Sequence, residues 1–250
     1  MEVHQHSHLA HKKWSNYLWE FLMLFLAVFC GFLAENQREH IVEHQRAKIY
    51  ASNLYKELQR DTAQFTDLIK WTETLTKKFD TVCVLQQDPN TTNGKLYYYS
   101  NFIGWTRYFS SECSTMEQLK YSGNLRILAT AIALKISDYG RRIKSLEDDY
   151  SLFKQEYEII NGLRLRIFDG ITSFTFFTRP DDAIFRDSVF HLTPPLINDD
   201  PKLMKEYLGW IKSESGFWKS NIKDHLKPLD SLANEIILML KNEYRLTVHN

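Results

Sequence analysis

The sequence predicts an all-α protein: an N-terminal transmembrane helix, continuous with a long stalk helix, in an elongated helical bundle. Three observations predict it. An uncharged apolar run lies near the N-terminus, at 21–34. Seam positions spaced 4, 3, 4, 3 follow it over about six heptads, without a Gly or Pro. Only 9 Gly and 6 Pro occur in 250 residues, too few for the many tight turns of an all-β chain.

Residues 1–13 form a polar tail in which His4, His6, His8 and His11 cluster. Alternating His can collect a transition metal weakly, but a flexible solvated tail is the expectation. The run 21–34 makes about 21 Å of helix, short of a hydrocarbon core of roughly 30 Å. Extended back to Trp14 it reaches about 31 Å, so 14–34 is the expected span. Trp14, Tyr17 and Trp19 are amphipathic rings suited to the headgroup level, flanked by Lys12 and Lys13. A cleaved signal peptide needs small residues at −3 and −1 of the cut. Cutting after Ala34 puts Phe32 at −3, and cutting after Gly31 puts Phe29 there. Cys30 follows Phe29, a poor context for lipoprotein processing. The reading is therefore an uncleaved single-pass anchor. Basic residues flank both ends (Arg38, Arg46 and Lys48 follow), so counting them does not orient it. The short tail and the large following domain favour a cytoplasmic N-terminus. Glu20, inside the extended span, reaches toward water if it sits one turn from the interface. A helix contact or an ion path is the sharper reading, and no intramembrane basic partner supports the path.

The composition is 44% hydrophobic and 25% charged, with net charge zero. That supports one helical domain over 35–250 and argues against a general nucleic-acid binder. Of the three Cys, Cys30 lies in the span, whereas Cys83 and Cys113 could form a disulfide in an oxidising compartment. No C-x-x-C pair suggests a zinc ribbon or a redox motif.

The stalk seam runs His40, His44, Ala47, Ala51, Leu54, Leu58, Asp61, Phe65, Leu68, Thr72, Leu75, Phe79, Val82. Asp61 is polar on that seam, so a basic residue such as His225 or Lys227 is expected to face it. Residues 87–94 read as a loop. Tyr98, Phe102, Trp105 and Phe109 then form a 4, 3, 4 stripe, read as core rather than as a platform for sugars or a planar ligand. Ser114-Thr115-Met116-Glu117 fits a capping box. The short helix it opens should end at Gly123, and Asn124 should cap the next. That next helix carries the second seam: Leu125, Leu128, Ile132, Ile136, Tyr139, Ile143, Leu146, Tyr150, Phe153, Tyr157, Ile160. Glu147-Asp148-Asp149 reads as a solvated face. About 161–200 is an irregular insert with short helices, because Gly162, Gly170, Pro180, Pro194 and Pro195 interrupt it. Asp200-Pro201 opens a further helix. Ser215 opens another, carrying Trp218, Ile222, Leu226, Leu229, Ala233, Ile236, Leu240 and Tyr244, with a kink or restart at Pro228.

Two stretches carry a resemblance. Glu20, the apolar run and Asn36-Gln37-Arg38-Glu39 resemble the anchor of a large family of uncharacterised single-pass membrane proteins from Bacteroidota. There an acidic residue opens the span and an Asn-Asn-Trp-x-Glu-like stretch closes it. Here Glu35-Asn36-Gln37 replaces Asn-Asn-Trp, so the closing aromatic is missing. Ser114-Thr115-Met116-Glu117-Gln118-Leu119-Lys120-Tyr121-Ser122-Gly123-Asn124-Leu125 is similar to that family's central segment, with Met116 at the usual aromatic. The resemblance covers about half the chain. It implies an anchored helical domain in the periplasm, attached to the inner membrane, and carries no catalytic residue across.

His40-Ile41-Val42-Glu43-His44 fits the inverted zinc-protease pattern H-x-x-E-H. On a helix, His40 and His44 share a face with Glu43 beside them. A catalytic zinc needs a third ligand and an open position, and no distant acid presents itself, so His40, Glu43 and His44 are weak metal candidates. The alternative places both His in the seam, where paired copies would bring them together and make assembly pH-sensitive. No P-loop, G-x-G-x-x-G or G-x-S-x-G occurs. The expectation is a membrane-anchored scaffold or accessory subunit without catalysis or cofactor. Its expected partners are the lipid bilayer and a second copy or another membrane protein. The alternative is a ligand-binding sensor with a separate output subunit, for which a cavity lined by Tyr98, Trp105 and Tyr139 would speak.

Overall fold

The computed structural model describes residues 14–179 and 182–246. The tail histidines His4, His6, His8 and His11, the Lys12-Lys13 pair and Pro180 lie outside them. The described residues are all-α, without a β-strand. Two compact units divide between Tyr50 and Ala51.

A single helix, α1 (Trp14–Leu85), contains both the apolar run and the stalk seam. In the first unit, residues 17–40 are all exposed. This helix is long and apolar enough to cross a membrane by length and composition, and none of its apolar window is buried. His40 and His44 are exposed and Glu43 is half-buried.

In the second unit the seam is buried without exception. Ala51, Leu54, Leu58, Asp61, Phe65, Leu68, Thr72, Leu75, Phe79 and Val82 all lie inside. The 4, 3 spacing keeps one stripe of α1 facing the same neighbours along its length. Those neighbours are α4 (Thr130–Ile167), α7 (Pro201–Asn221) and α8 (Lys227–Tyr244). Lys135 pairs with Glu235, Asp149 with His225, and Phe153 packs on Trp218, so α4 is antiparallel to α7 and α8. Asp80 accepts from Ser215 (3.0 Å) while Glu73 meets Lys227 (4.0 Å), so α1 is antiparallel to them too. α1 and α4 are therefore parallel, and the chain between them must travel back along the bundle.

The second seam is also buried, except that Leu125 and Tyr157 are half-buried. Two expected boundaries move. Asn124 does not cap α4: residues Asn124–Ile127 make a 3-10 turn, and Ala129 precedes α4 without a side-chain cap. Gly162 does not stop α4, which continues to Ile167 with Leu163 and Ile167 buried. Burial on that stripe offsets the roughly 1 kcal/mol helix cost of a glycine.

α7 begins as expected, with the Asp200 carboxylate accepting from the Lys202 amide (3.0 Å) and Pro201 in its first turn. It runs through Ser215, which opens no helix; its hydroxyl instead donates to Asp80. The restart at Pro228 is real. Ile222–Leu226 widens into a π turn, closed by the Lys227 amide on Ile222 O. The wider turn makes room for a ring that would otherwise strike the preceding carbonyl and that brings no N–H.

The insert is tied down from a distance. α2 (Asn93–Ser100) packs on α5 (Gly170–Phe176) and α6 (Ala183–Phe190). Thr92 Oγ1 donates to Phe190 O (2.6 Å), the Gly94 amide to Leu192 O (3.0 Å) and Tyr97 Oη to Pro195 O (2.9 Å). A Cβ on Gly94 would stand 2.1 Å from Val189 O, so only glycine lets the backbones approach this closely. Ile171–Phe176, rich in β-prone side chains, belongs to α5, whose first turn is capped by the Asp169 carboxylate on the Thr172 amide (2.8 Å).

Candidate functional site

The returning strand of irregular chain between α2 and α3 (Ser114–Tyr121) belongs to no sheet or helix that would satisfy its peptide groups. Side chains of α1 do it instead, one turn after another. Trp71 Nε1 donates to Trp105 O (2.9 Å), and Gln64 Oε1 accepts from the Ser110 amide (2.9 Å). Asp61 Oδ1 accepts from the Glu112 amide (3.3 Å), and Glu57 Oε2 from the Thr115 amide (3.1 Å). The α1 positions fall from 71 to 57 as the strand rises from 105 to 115, so the two run antiparallel. Phe65 stacks on Phe109 (4.1 Å between centroids) and Arg107 lies over Trp71 (3.9 Å).

Asp61 is the centre of this network, 1% exposed. Among the described residues no basic side chain faces it, contrary to the sequence expectation. His225 pairs with Asp149 (3.1 Å), and Lys227 reaches Glu73. Asp61 Oδ2 instead accepts from Tyr139 Oη (2.7 Å), Ser111 Oγ (2.9 Å) and Cys113 Sγ (3.2 Å). Four donors thus converge on the one carboxyl group. Burial first, and the Asp61 charge second, push the Cys113 thiol and the Tyr139 phenol well above their ordinary pKa values. Both therefore remain protonated donors, and the Cys113 thiol is a poor nucleophile. Cys83 and Cys113 are both free; the Cys83 sulfur lies 3.9 Å from Leu208 O and forms no disulfide with Cys113.

Glu57, 6% exposed, replaces the expected capping box. Cys113 is the N-cap of α3 and makes no side-chain cap bond. Ser114 Oγ (3.0 Å) and Thr115 Oγ1 (2.7 Å) donate to Glu57 Oε1, and Glu117 stands exposed. A carboxylate from another helix thus meets the unsatisfied amides at the α3 N-terminus. The other end of α3 is as expected, with Gly123 left-handed at φ 68°.

The aromatic stripe is split by the end of α2. Tyr98, Phe102 and Phe109 are buried, but Trp105 is 37% exposed. Trp105 and Phe177 meet edge to face (4.7 Å) and wall a cavity of about 620 Å³ with Tyr157 and Phe174. Its polar lining comes from Asn101, Asn161, Arg164, Ser173 and Thr178. Of the trio Tyr98, Trp105 and Tyr139, only Trp105 reaches this cavity; Tyr139 is committed to Asp61.

Among the described residues, no group of three or more His, Cys, Asp or Glu is placed to hold a metal ion. His40, Glu43 and His44 share adjacent turns of α1, and among the described residues no further ligand joins them. The remaining buried acid is Glu214 on α7, 2% exposed, taking a bond from Trp218 Nε1 at Oε1 while Oε2 has no partner. No sequence signal singled it out, because it carries no motif. Comparison with family models, curated proteins and solved structures finds no match.

Proposed function

We propose that this protein is a membrane-anchored helical scaffold or accessory subunit that holds a protein partner and performs no catalysis. One observation carries the reading: residues 17–40 of α1 are exposed throughout, in a helix long and apolar enough to cross a bilayer. Such a run has only lipid or another chain to cover it. The resemblance to the Bacteroidota anchor family supports an inner-membrane location, with the N-terminus cytoplasmic and the helical domain periplasmic. The buried side chains of Asp61, Glu57 and Cys113 are spent on holding the fold, which favours a structural role. The insert supplies the partner surface in this reading: Ile171 (80%), Phe174 (75%) and Ile184 (84%) stand in water on α5 and α6.

Gentle extraction of the full chain in a non-ionic detergent, followed by native mass spectrometry, tests this. Wild type is expected to carry a stoichiometric membrane protein or a second copy, and the Ile171→Ser, Ile184→Ser double variant to lose it. A lone monomer from native membranes contradicts the proposal. A ligand-binding sensor with a separate output subunit is the second reading, and the cavity at Trp105 and Arg164 is the observation in its favour.

A further inference from the structure

Among the described residues, Arg164 is the one charged side chain lining the cavity behind Trp105. Its Nη1 donates to Asn101 Oδ1 (2.9 Å) and its Nε to Asn161 Oδ1 (3.2 Å). Both partners are neutral amides, and they occupy two of the five donors of a guanidinium. Among the described residues, none that lines the cavity carries a carboxylate. The two amides fix the planar group in place and leave its charge and further donors for a guest. Ser173 also lines the cavity; it is 2% exposed and its hydroxyl has no partner. A buried hydroxyl without a bond is unfavourable, and a ligand acceptor would relieve that cost. Trp105 and Phe177 line the same cavity, and a volume of about 620 Å³ falls among small-molecule sites.

We propose that this cavity binds a small organic monoanion with a flat ring, its carboxylate on Arg164 and its ring against Trp105 and Phe177. A guanidinium matches a carboxylate in two parallel hydrogen bonds, which gives orientation as well as affinity. The aromatic walls take the ring edge to face or stacked. The Arg164 guanidinium repels a cation, and a bare inorganic anion would leave the aromatic walls wet. Ile171 and Ile184 are not among the residues lining the cavity, so the double serine variant that tests the partner surface leaves this lining intact.

The test is ligand-observed saturation-transfer NMR on the full chain in a non-ionic detergent. The probes are phenylacetate, its neutral twin phenylacetamide, and hexanoate. Phenylacetate is expected to bind, with the amide and hexanoate each weaker by about tenfold or more, the loss of one charge-assisted pair or of the ring contact. Arg164→Gln should weaken phenylacetate by a similar factor. Because Arg164 also ties α4 to Asn101, Leu165→Glu provides a second variant. It adds a negative charge at the cavity rim on an exposed helix position that tolerates glutamate. It should leave the melting temperature unchanged and abolish the phenylacetate signal. Absence of transfer to phenylacetate at millimolar concentration, equal binding of the amide or of hexanoate, or wild-type affinity in the folded Leu165→Glu protein would each overturn the proposal.

Discussion

Asp61→Ala is expected to lower the unfolding free energy by about 3–5 kcal/mol, within a total of about 5–15 kcal/mol for a domain. The substitution removes the acceptor for Tyr139 Oη, Ser111 Oγ, Cys113 Sγ and the Glu112 amide. Each stranded donor in a dry interior costs about 1–3 kcal/mol, and the sites couple, so the costs do not simply add. Asp61→Asn should cost less, about 1–2 kcal/mol, because the amide keeps one oxygen and the hydroxyls can rotate to accept from its nitrogen. Denaturant unfolding of the full chain in detergent measures both. Amide exchange should rise first over 105–115, the strand that α1 holds through Gln64, Asp61 and Glu57. A loss under about 1 kcal/mol for Asp61→Ala would mean that the network is incidental to the fold.

Stability is expected to fall as pH rises from about 4.5 to about 8, because of Glu214. Burial pushes its carboxyl up to about 8 from the ordinary 4.5; the Trp218 bond opposes this, and Glu156 adds to it. Between those values the native state holds a proton that the unfolded chain has lost. Raising the pH therefore favours unfolding, at about 1.4 kcal/mol per unit. The contribution of the protonated group is fully present below 4.5 and gone above 8, a change on the order of several kcal/mol. Glu214→Gln mimics the protonated form. It should match wild type near pH 4.5, remain flat across the window and be the more stable protein at pH 8. Parallel pH profiles for the two proteins would show that Glu214 ionises normally.

The two seams were legible because each is a stripe of one helix. From Ala51 to Val82, and from Leu128 to Phe153, the 3 and 4 spacing alone identifies the buried face. Asp61 was visible as a polar seam position, but its partners were not. They come from a strand and a helix far along the chain, chosen by geometry rather than by charge. The same reason hid the cap on α3. The local S-x-x-E pattern satisfies the capping-box rule, yet Glu57 on α1 outcompetes Glu117 because its carboxylate arrives already buried beside the amides. Gly162 and Ser215 misled as boundaries because tertiary burial of Leu163, Ile167 and Trp218 carries each helix past them. Arg164, Asn101 and Ser173 meet across the gap between α4, the turn after α2, and α5. No spacing rule connects them.

The anchor is the claim on which the proposed role depends, and alkaline carbonate treatment of membranes tests it most directly, with the intact mass of the recovered protein read in parallel. The account predicts that the chain remains in the membrane pellet at high pH and that its mass includes residues 14–34. Release into the soluble fraction, or a mass that begins beyond Ala34, would contradict it.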